Sequence, residues 1–170
     1  IVLIRKLKKV PGITSVTLTT NGVLLEQYYD ELIDAGIDSI TVSLDTMKRN
    51  VYQQITRRDE LERVLRGIEK AIRENRVRLK INCVCVADID TQNVLALLNY
   101  AQRADVDIRF IEMMPIGLGR QFSFVSEAVI RKMIEEKYGK LTPYGKTRGN
   151  GPCKYYDVPG FIGKVGFISA

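Results

Sequence analysis

The strongest constraint on this chain is an alternation. Four short segments, 15–19, 39–44, 79–86 and 107–112, place apolar residues at one parity and polar residues at the other. The apolar parity holds Val16, Leu18, Ile40, Val42, Leu44, Leu79, Ile81, Cys83, Cys85, Ile108 and Phe110. The polar parity holds Thr17, Thr19, Thr41, Ser43, Lys80, Asn82 and Arg109. A period of two is the mark of a strand. Between these segments the period lengthens to that of a helix. Leu25, Tyr28, Leu32 and Ile33 form one stripe, closed by Gly36 as a helix-terminating residue. A short segment with Val51 and Ile55 leads to a second stripe from Leu61 to Ile72, with Asp59 and Glu62 spaced as a capping box. Val94, Leu98 and Ala101 follow Thr91, and a further helix is expected over 126–139. Strand and helix in turn predict parallel strands joined by crossover helices.

A parallel sheet covered on both faces has nearly continuous apolar strands. Alternation with one helical layer instead predicts a barrel or partial barrel, apolar parity outward under the helices and polar parity lining the inside. Ordinary filled barrels are aliphatic inside, so a polar lining implies a polar ligand. A half-solvated antiparallel sheet would explain the alternation but not the crossovers. Cys83 and Cys85 share the parity of Leu79 and Ile81, so they are expected outside as small packed hydrophobes. Cys153 follows a loop at 145–152 that is expected to be mobile, and 154–158 with 164–169 flank Pro159-Gly160 as a terminal hairpin.

Composition narrows the classes. The 170 residues, 45% hydrophobic and 27% charged, suit one soluble domain with a real core. No apolar run approaches the roughly 18–20 residues that span a bilayer, so no membrane partner is expected. No signal peptide is read at the start. Three cysteines and no histidine give neither a disulfide framework nor a zinc set, so a reducing cytoplasm is expected and no metal site within the chain. The net charge of +6 favours anionic partners. Yet the cations between Arg63 and Arg78 are interleaved with Glu60, Glu62, Glu69 and Glu74 as on a solvated helix face, so nucleic acid is an unlikely partner.

Buried Lys and Arg are costly without an anion. Lys80 and Arg109 stand at inward parity in strand interiors, where Asp45 and Glu112 could pair with them. Two cations facing one cavity point instead to a phosphate or carboxylate ligand, which Arg would hold through a bidentate fork. The strand ends "TTNG" (19–22), "SLDT" (43–46) and "EMMPIG" (112–117) are polar or broken by Gly and Pro, as a ligand-contacting rim would be.

In order and spacing, "LTTNG" with "LIDAG", "VSLDT", "KIN", "RFIEMMPIG", "GPCKYYDVPG" and "GKVGFIS" resemble the radical S-adenosylmethionine enzymes, more closely the GTP 3′,8-cyclase family of molybdenum-cofactor biosynthesis. The resemblance covers nearly the whole chain. It implies an α/β fold, a partial (βα)6 TIM-type barrel lacking its N-terminal strands here, with a C-terminal hairpin extension. It divides the chain into a barrel core, 1–125, and the start of a C-terminal region, 126–170. It implies that Thr19, Lys80 and Arg109 bind GTP and that Ser43 and Met114 contact S-adenosylmethionine. Two 4Fe-4S clusters, an electron donor and a possible homodimer belong to the parent enzyme, whose radical joins C3′ of GTP to C8 of its guanine. The family's CxxxCxxC run and "GGEP"-type segment match nothing in this sequence, nor do its second set of cluster cysteines. The chain alone is therefore expected to bind no iron and to be inactive. Two alternatives stay open on the residues themselves: a βα-barrel aldolase with a Schiff base at Lys80, and a basic nucleic-acid-binding module.

Overall fold

The computed structural model describes residues 1–85, 91–114, 125–146, 148 and 151–169. Its elements in chain order are α1 (Val2–Leu7), β1 (Thr17–Thr20), α2 (Leu25–Asp34), β2 (Ser39–Ser43), α3 (Arg49–Thr56), α4 (Leu61–Glu74), β3 (Arg78–Cys85), α5 (Thr91–Arg103), β4 (Val106–Glu112), α6 (Glu127–Tyr138), β5 (Thr142–Pro143), β6 (Lys154–Asp157) and β7 (Val165–Ile168). The strands pair in the order β1-β2-β3-β4-β7-β6-β5, with β1 and β5 at the ends. The chain divides into two compact units, residues 1–43 with 49–81 and residues 44–48 with 82–170.

In the first unit β1 and β2 run parallel, Leu18 opposite Ile40 and Thr19 opposite Thr41. The two parities therefore meet like with like across the pair. Helix α2 ends as its sequence predicts. Gly36 takes φ +87°, its N–H donates to the Ile33 carbonyl at 2.9 Å, and that of Ile37 to Leu32 at 3.2 Å. These two bonds are the Schellman pattern, satisfying carbonyls the helix would otherwise orphan. Helix α4 packs on α2 at a glycine. A Cβ at Gly67 would stand 2.9 Å from Leu25 Cβ and 3.1 Å from the Glu26 nitrogen, so only a hydrogen lets the backbones approach this closely. The cations of α4 do not simply face solvent. Arg66 pairs with Glu26 at 2.9 Å and Lys70 with Asp30 at 2.6 Å, both acids lying on α2.

The expected capping box is a correction. Glu60 is the N-cap of α4 and makes no side-chain cap bond. Asp59 instead accepts both arms of Arg49, at 2.8 and 2.6 Å. With Glu60 as the N-cap, Asp59 lies one residue before it and its carboxylate is turned to Arg49.

In the second unit β7 runs parallel to β4 and antiparallel to β6. The hairpin turns at Pro159-Gly160 as expected, Gly160 taking φ +78°. Its β7 arm extends the parity of β4: Phe110 faces Phe167 in register, their rings stacked with centroids 6.0 Å apart. Helix α6 covers the β6 side. Arg131 lies 4.5 Å over the Tyr156 ring and donates to its hydroxyl at 3.2 Å. Strand β5 is not expected from sequence; two residues are too few to show a period. The expected strand end at Val86, residues 115–117 of the rim, and residues 147, 149 and 150 of the loop expected to be mobile lie outside the described residues. Arg148, which is described, is tied by Asp105 and Asp107.

Candidate functional site

In the first unit, Thr19 is an exposed residue of β1 and Ser43 an exposed residue at the end of β2. Thr41 of the same parity is buried, and so is Lys80 on β3, at 8% exposure. Burying a lysine charge is costly unless it is paired or hydrogen-bonded, and Lys80 does make an interaction within the protein.

The second unit holds the rim that follows Ser43. The Leu44 N–H donates to the Asn82 carbonyl at 2.8 Å. The Asp45 carboxylate accepts the Val84 N–H at 2.8 Å. Asn93 on α5 clamps the same turn from outside, its amide donating to the Asp45 carbonyl at 3.0 Å and accepting from the Met47 N–H at 2.7 Å. Burial pushes the Asp45 carboxyl above its ordinary range, and the Val84 N–H partly offsets this. Asp45 thus fastens a turn.

Arg109 stands in β4 opposite Gly166 of β7, which in turn stands opposite Tyr155 of β6. Paired residues share a face, so Arg109, Gly166 and Tyr155 form one row. The row is glycine in the middle for a reason. A Cβ at Gly166 would run into the Cys153 Sγ and come within 3.1 Å of the Tyr155 ring. Burial first, then the neighbouring Cys153, raises the Tyr155 hydroxyl well above its usual pKa, so it remains a neutral donor. On the other side of Arg109, its Nε donates to Asn82 Oδ1 at 2.7 Å. Asn82 is two residues beyond Lys80 on β3 and has the same parity.

Two residues earlier on β4, Asp107 is fully buried, and both its oxygens accept Arg148 Nε at 2.8 Å. Arg148 also donates from Nη2 to Asp105. Burial works against the Arg148 charge, but these carboxylates raise its pKa nonetheless. The hollow of about 460 Å³ that Arg148 lines with Tyr144, Lys146 and Tyr155 therefore contains a guanidinium already committed to two acids. Sequence reasoning missed this pair because its partners are far apart along the chain.

Met114, expected against a cofactor, lies two residues past β4 with its side chain 58% exposed. Glu112 at the end of β4 accepts the Glu127 N–H at 2.8 Å, which fixes the start of α6 in place of a bond from its N-cap Ser126. Ser169, just past β7, donates to the Glu127 carboxylate at 2.9 Å.

Cys83 and Cys85 are 0% and 1% exposed, at the parity of Leu79 and Ile81. Hydrogen bonding with Cys85, and then burial, push the Cys83 thiol well above its usual range. Thiolates, not thiols, ligate metals. Both sulfurs pack instead among the aliphatic side chains of β3's buried parity. Among the described residues no group of three His, Cys, Asp or Glu could hold a metal ion, and no helix is long and apolar enough to cross a membrane.

The chain is 44% identical over 99% of its length to the GTP 3′,8-cyclase of Clostridium perfringens (strain SM101 / Type A), covering 52% of that protein. It is 35% identical over 99% of its length to molybdenum cofactor biosynthesis protein 1 of Dictyostelium discoideum, covering 27% of it. It thus spans about half the length of the bacterial relative, and less of the other. A solved domain of the pyruvate-formate lyase-activating enzyme from Bacteroides vulgatus shares the fold, with a TM-score of 0.62 at 14% identity over 79% of this chain and 82% of that one. The model of the radical SAM superfamily matches residues 1–101, and the α/β order of strands and crossover helices is the one the sequence led us to expect. The chain belongs to the radical SAM superfamily.

Proposed function

We propose that this chain is the central part of a GTP 3′,8-cyclase, which converts GTP to (8S)-3′,8-cyclo-7,8-dihydroguanosine 5′-triphosphate in molybdenum-cofactor biosynthesis. The observation that carries this reading is 44% identity, over nearly the whole chain, to a protein of that name. In this reading residues 1–125 belong to the barrel core and 126–170 begin a C-terminal region. Thr19, Lys80 and Arg109 bind GTP, while Ser43 and Met114 contact S-adenosylmethionine. The complete protein is cytoplasmic, binds two 4Fe-4S clusters and takes electrons from a donor.

When bound, S-adenosylmethionine and the clusters supply the radical that starts the reaction. The residues of this chain bind and orient. Lys80 contributes a point charge and Arg109 a planar fork to the anionic groups of the ligands. Holding the triphosphate fixes where the ribose and guanine lie, and orientation is the contribution a protein makes to joining two carbons of one molecule. Thr19 supplies a hydroxyl that both donates and accepts. The local geometry supports these roles: Lys80 is buried, Arg109 is oriented by Asn82, and Thr19 and Ser43 are exposed.

The test uses the full-length protein, reconstituted anaerobically with iron and sulfide and assayed with GTP, S-adenosylmethionine and dithionite. Mass spectrometry should find the cyclised nucleotide with 5′-deoxyadenosine. Lys80→Met should raise the KM for GTP by about tenfold or more, the scale of one lost charge-assisted bond. Absence of the cyclised product from the fully loaded protein would reject the reading.

A further inference from the structure

Asn93 stands in the first turn of α5 and is 4% exposed. Both ends of its side-chain amide meet the turn that follows β2. Its Nδ2 donates to the Asp45 carbonyl at 3.0 Å, and its Oδ1 accepts the Met47 N–H at 2.7 Å. A donor and an acceptor on one rigid plane thus take the carbonyl and the N–H that flank Thr46, as a neighbouring strand would. The Cys83 thiol also reaches the Asp45 carbonyl, at 3.5 Å, but a thiol is a weak donor. From β3 the same turn is held by the Asn82 carbonyl, which accepts the Leu44 N–H, and by the Val84 N–H, which donates to the Asp45 carboxylate. All of these contacts lie within the second unit.

The polar side chains of this turn serve its own backbone. Asp45 accepts from Val84, and buried Thr46 accepts the Lys48 N–H at 3.1 Å. Ser43, immediately before the turn in the chain, is exposed. The hydroxyl this rim offers a ligand is therefore that of Ser43, and whatever fixes the turn fixes the backbone next to it. We propose that Asn93 is a positioning residue for S-adenosylmethionine. It acts through the 45–47 turn on Ser43, and the inference rests on the proposed contact of Ser43 with that cofactor. A shift of about 1 Å in such a group can cost on the order of 100-fold in rate. Asn93→Asp keeps the shape and the acceptor, but a carboxylate cannot donate to the Asp45 carbonyl.

The test compares Ser43→Ala, Asn93→Asp, Asn93→Ser and the double variants with Ser43→Ala in the full-length holoenzyme. Asn93→Ser removes both arms of the clamp without adding charge, and stands in should Asn93→Asp fail to fold. Dissociation constants are measured separately for S-adenosylmethionine and for GTP. Ser43→Ala should weaken S-adenosylmethionine by about five- to tenfold, the scale of one lost hydrogen bond. Each Asn93 variant should weaken it to a similar degree while leaving GTP within about twofold. In the Ser43→Ala background the Asn93 variants should add little, since the group they position is already gone. If both ligands weaken together, or if the losses from Asn93 and Ser43 multiply, Asn93 serves the fold alone and the positioning role is overturned. It is overturned equally if both Asn93 variants bind S-adenosylmethionine as the wild type does while Ser43→Ala weakens it, and the reading of Ser43 then survives. If Ser43→Ala leaves that affinity unchanged, the reading of Ser43 itself fails and the role of Asn93 with it.

Discussion

Asp107 and Arg109 are two residues apart on β4, and their bonding sets what each substitution should cost. Asp107 is fully buried against Arg148, whose side chain is 9% exposed. Removing one member of a buried pair strands the other charge, at a typical cost of 3–5 kcal/mol. Asp107→Ala should therefore destabilise the full-length protein by about 3–5 kcal/mol in denaturant titration. Arg109→Ala should act mainly on ligand affinity. Asp38 gives a pH dependence whose sign is fixed. The Val16 N–H, donating at 2.6 Å, holds its carboxyl below the ordinary 3.8; burial opposes this, and Lys8 adds to the lowering. A lowered carboxyl stabilises the fold fully above 3.8, and that contribution is lost as pH falls through the folded value. Asp38→Asn should flatten acid unfolding in that window while leaving the slope at neutral pH unchanged; an unaltered acid limb would contradict the assignment.

At the scale of elements, close approaches carry the consequences. Gly67→Ala gains about 1 kcal/mol of helix propensity, but places a methyl against Leu25 and the backbone of Glu26. Overpacking costs about 1–3 kcal/mol, so the net effect should be destabilising, measurable as a lowered Tm. Gly166→Ala should be worse, and Cys153→Ala should relieve part of it; strict additivity of the two would show that the sulfur does not lie over the glycine. The helices and the first four strands were legible because their periods are local properties of the residues. The C′ role of Gly36 was legible for the same reason. What was not legible is non-local. Arg49 takes Asp59 from the expected capping box at a distance of ten residues. Arg148 reaches Asp107 across 41, and nothing at position 107 announces its partner. Gly166 did carry a signal, since a glycine inside a strand marks a close approach, but the residues lying over it could be found only from the register of β6 on β7.

For the molecule as a whole, parity is what links fold to function. In each of β1 to β4 one parity is aliphatic or sulfur-bearing and the other mainly polar, and the candidate residues Thr19, Ser43, Lys80 and Arg109 each stand at the polar parity of their own strand. The candidate site was legible as residue types at a parity, while the assignment of each residue to GTP or S-adenosylmethionine came from resemblance alone. The buried parity makes a separate claim about Cys83 and Cys85. Replacing both with alanine in the full-length protein should leave its iron content after reconstitution unchanged, and a loss of iron would mean that these sulfurs are ligands. The most direct test is a crystal structure of the complete protein with GTP and S-adenosylmethionine bound. The account expects Lys80 and Arg109 on bound anionic groups and Thr19 and Ser43 within hydrogen-bonding reach of the ligands, with both cysteines packed on the other side of β3. Ligands bound away from these four residues, or on the side of Cys83 and Cys85, would contradict it.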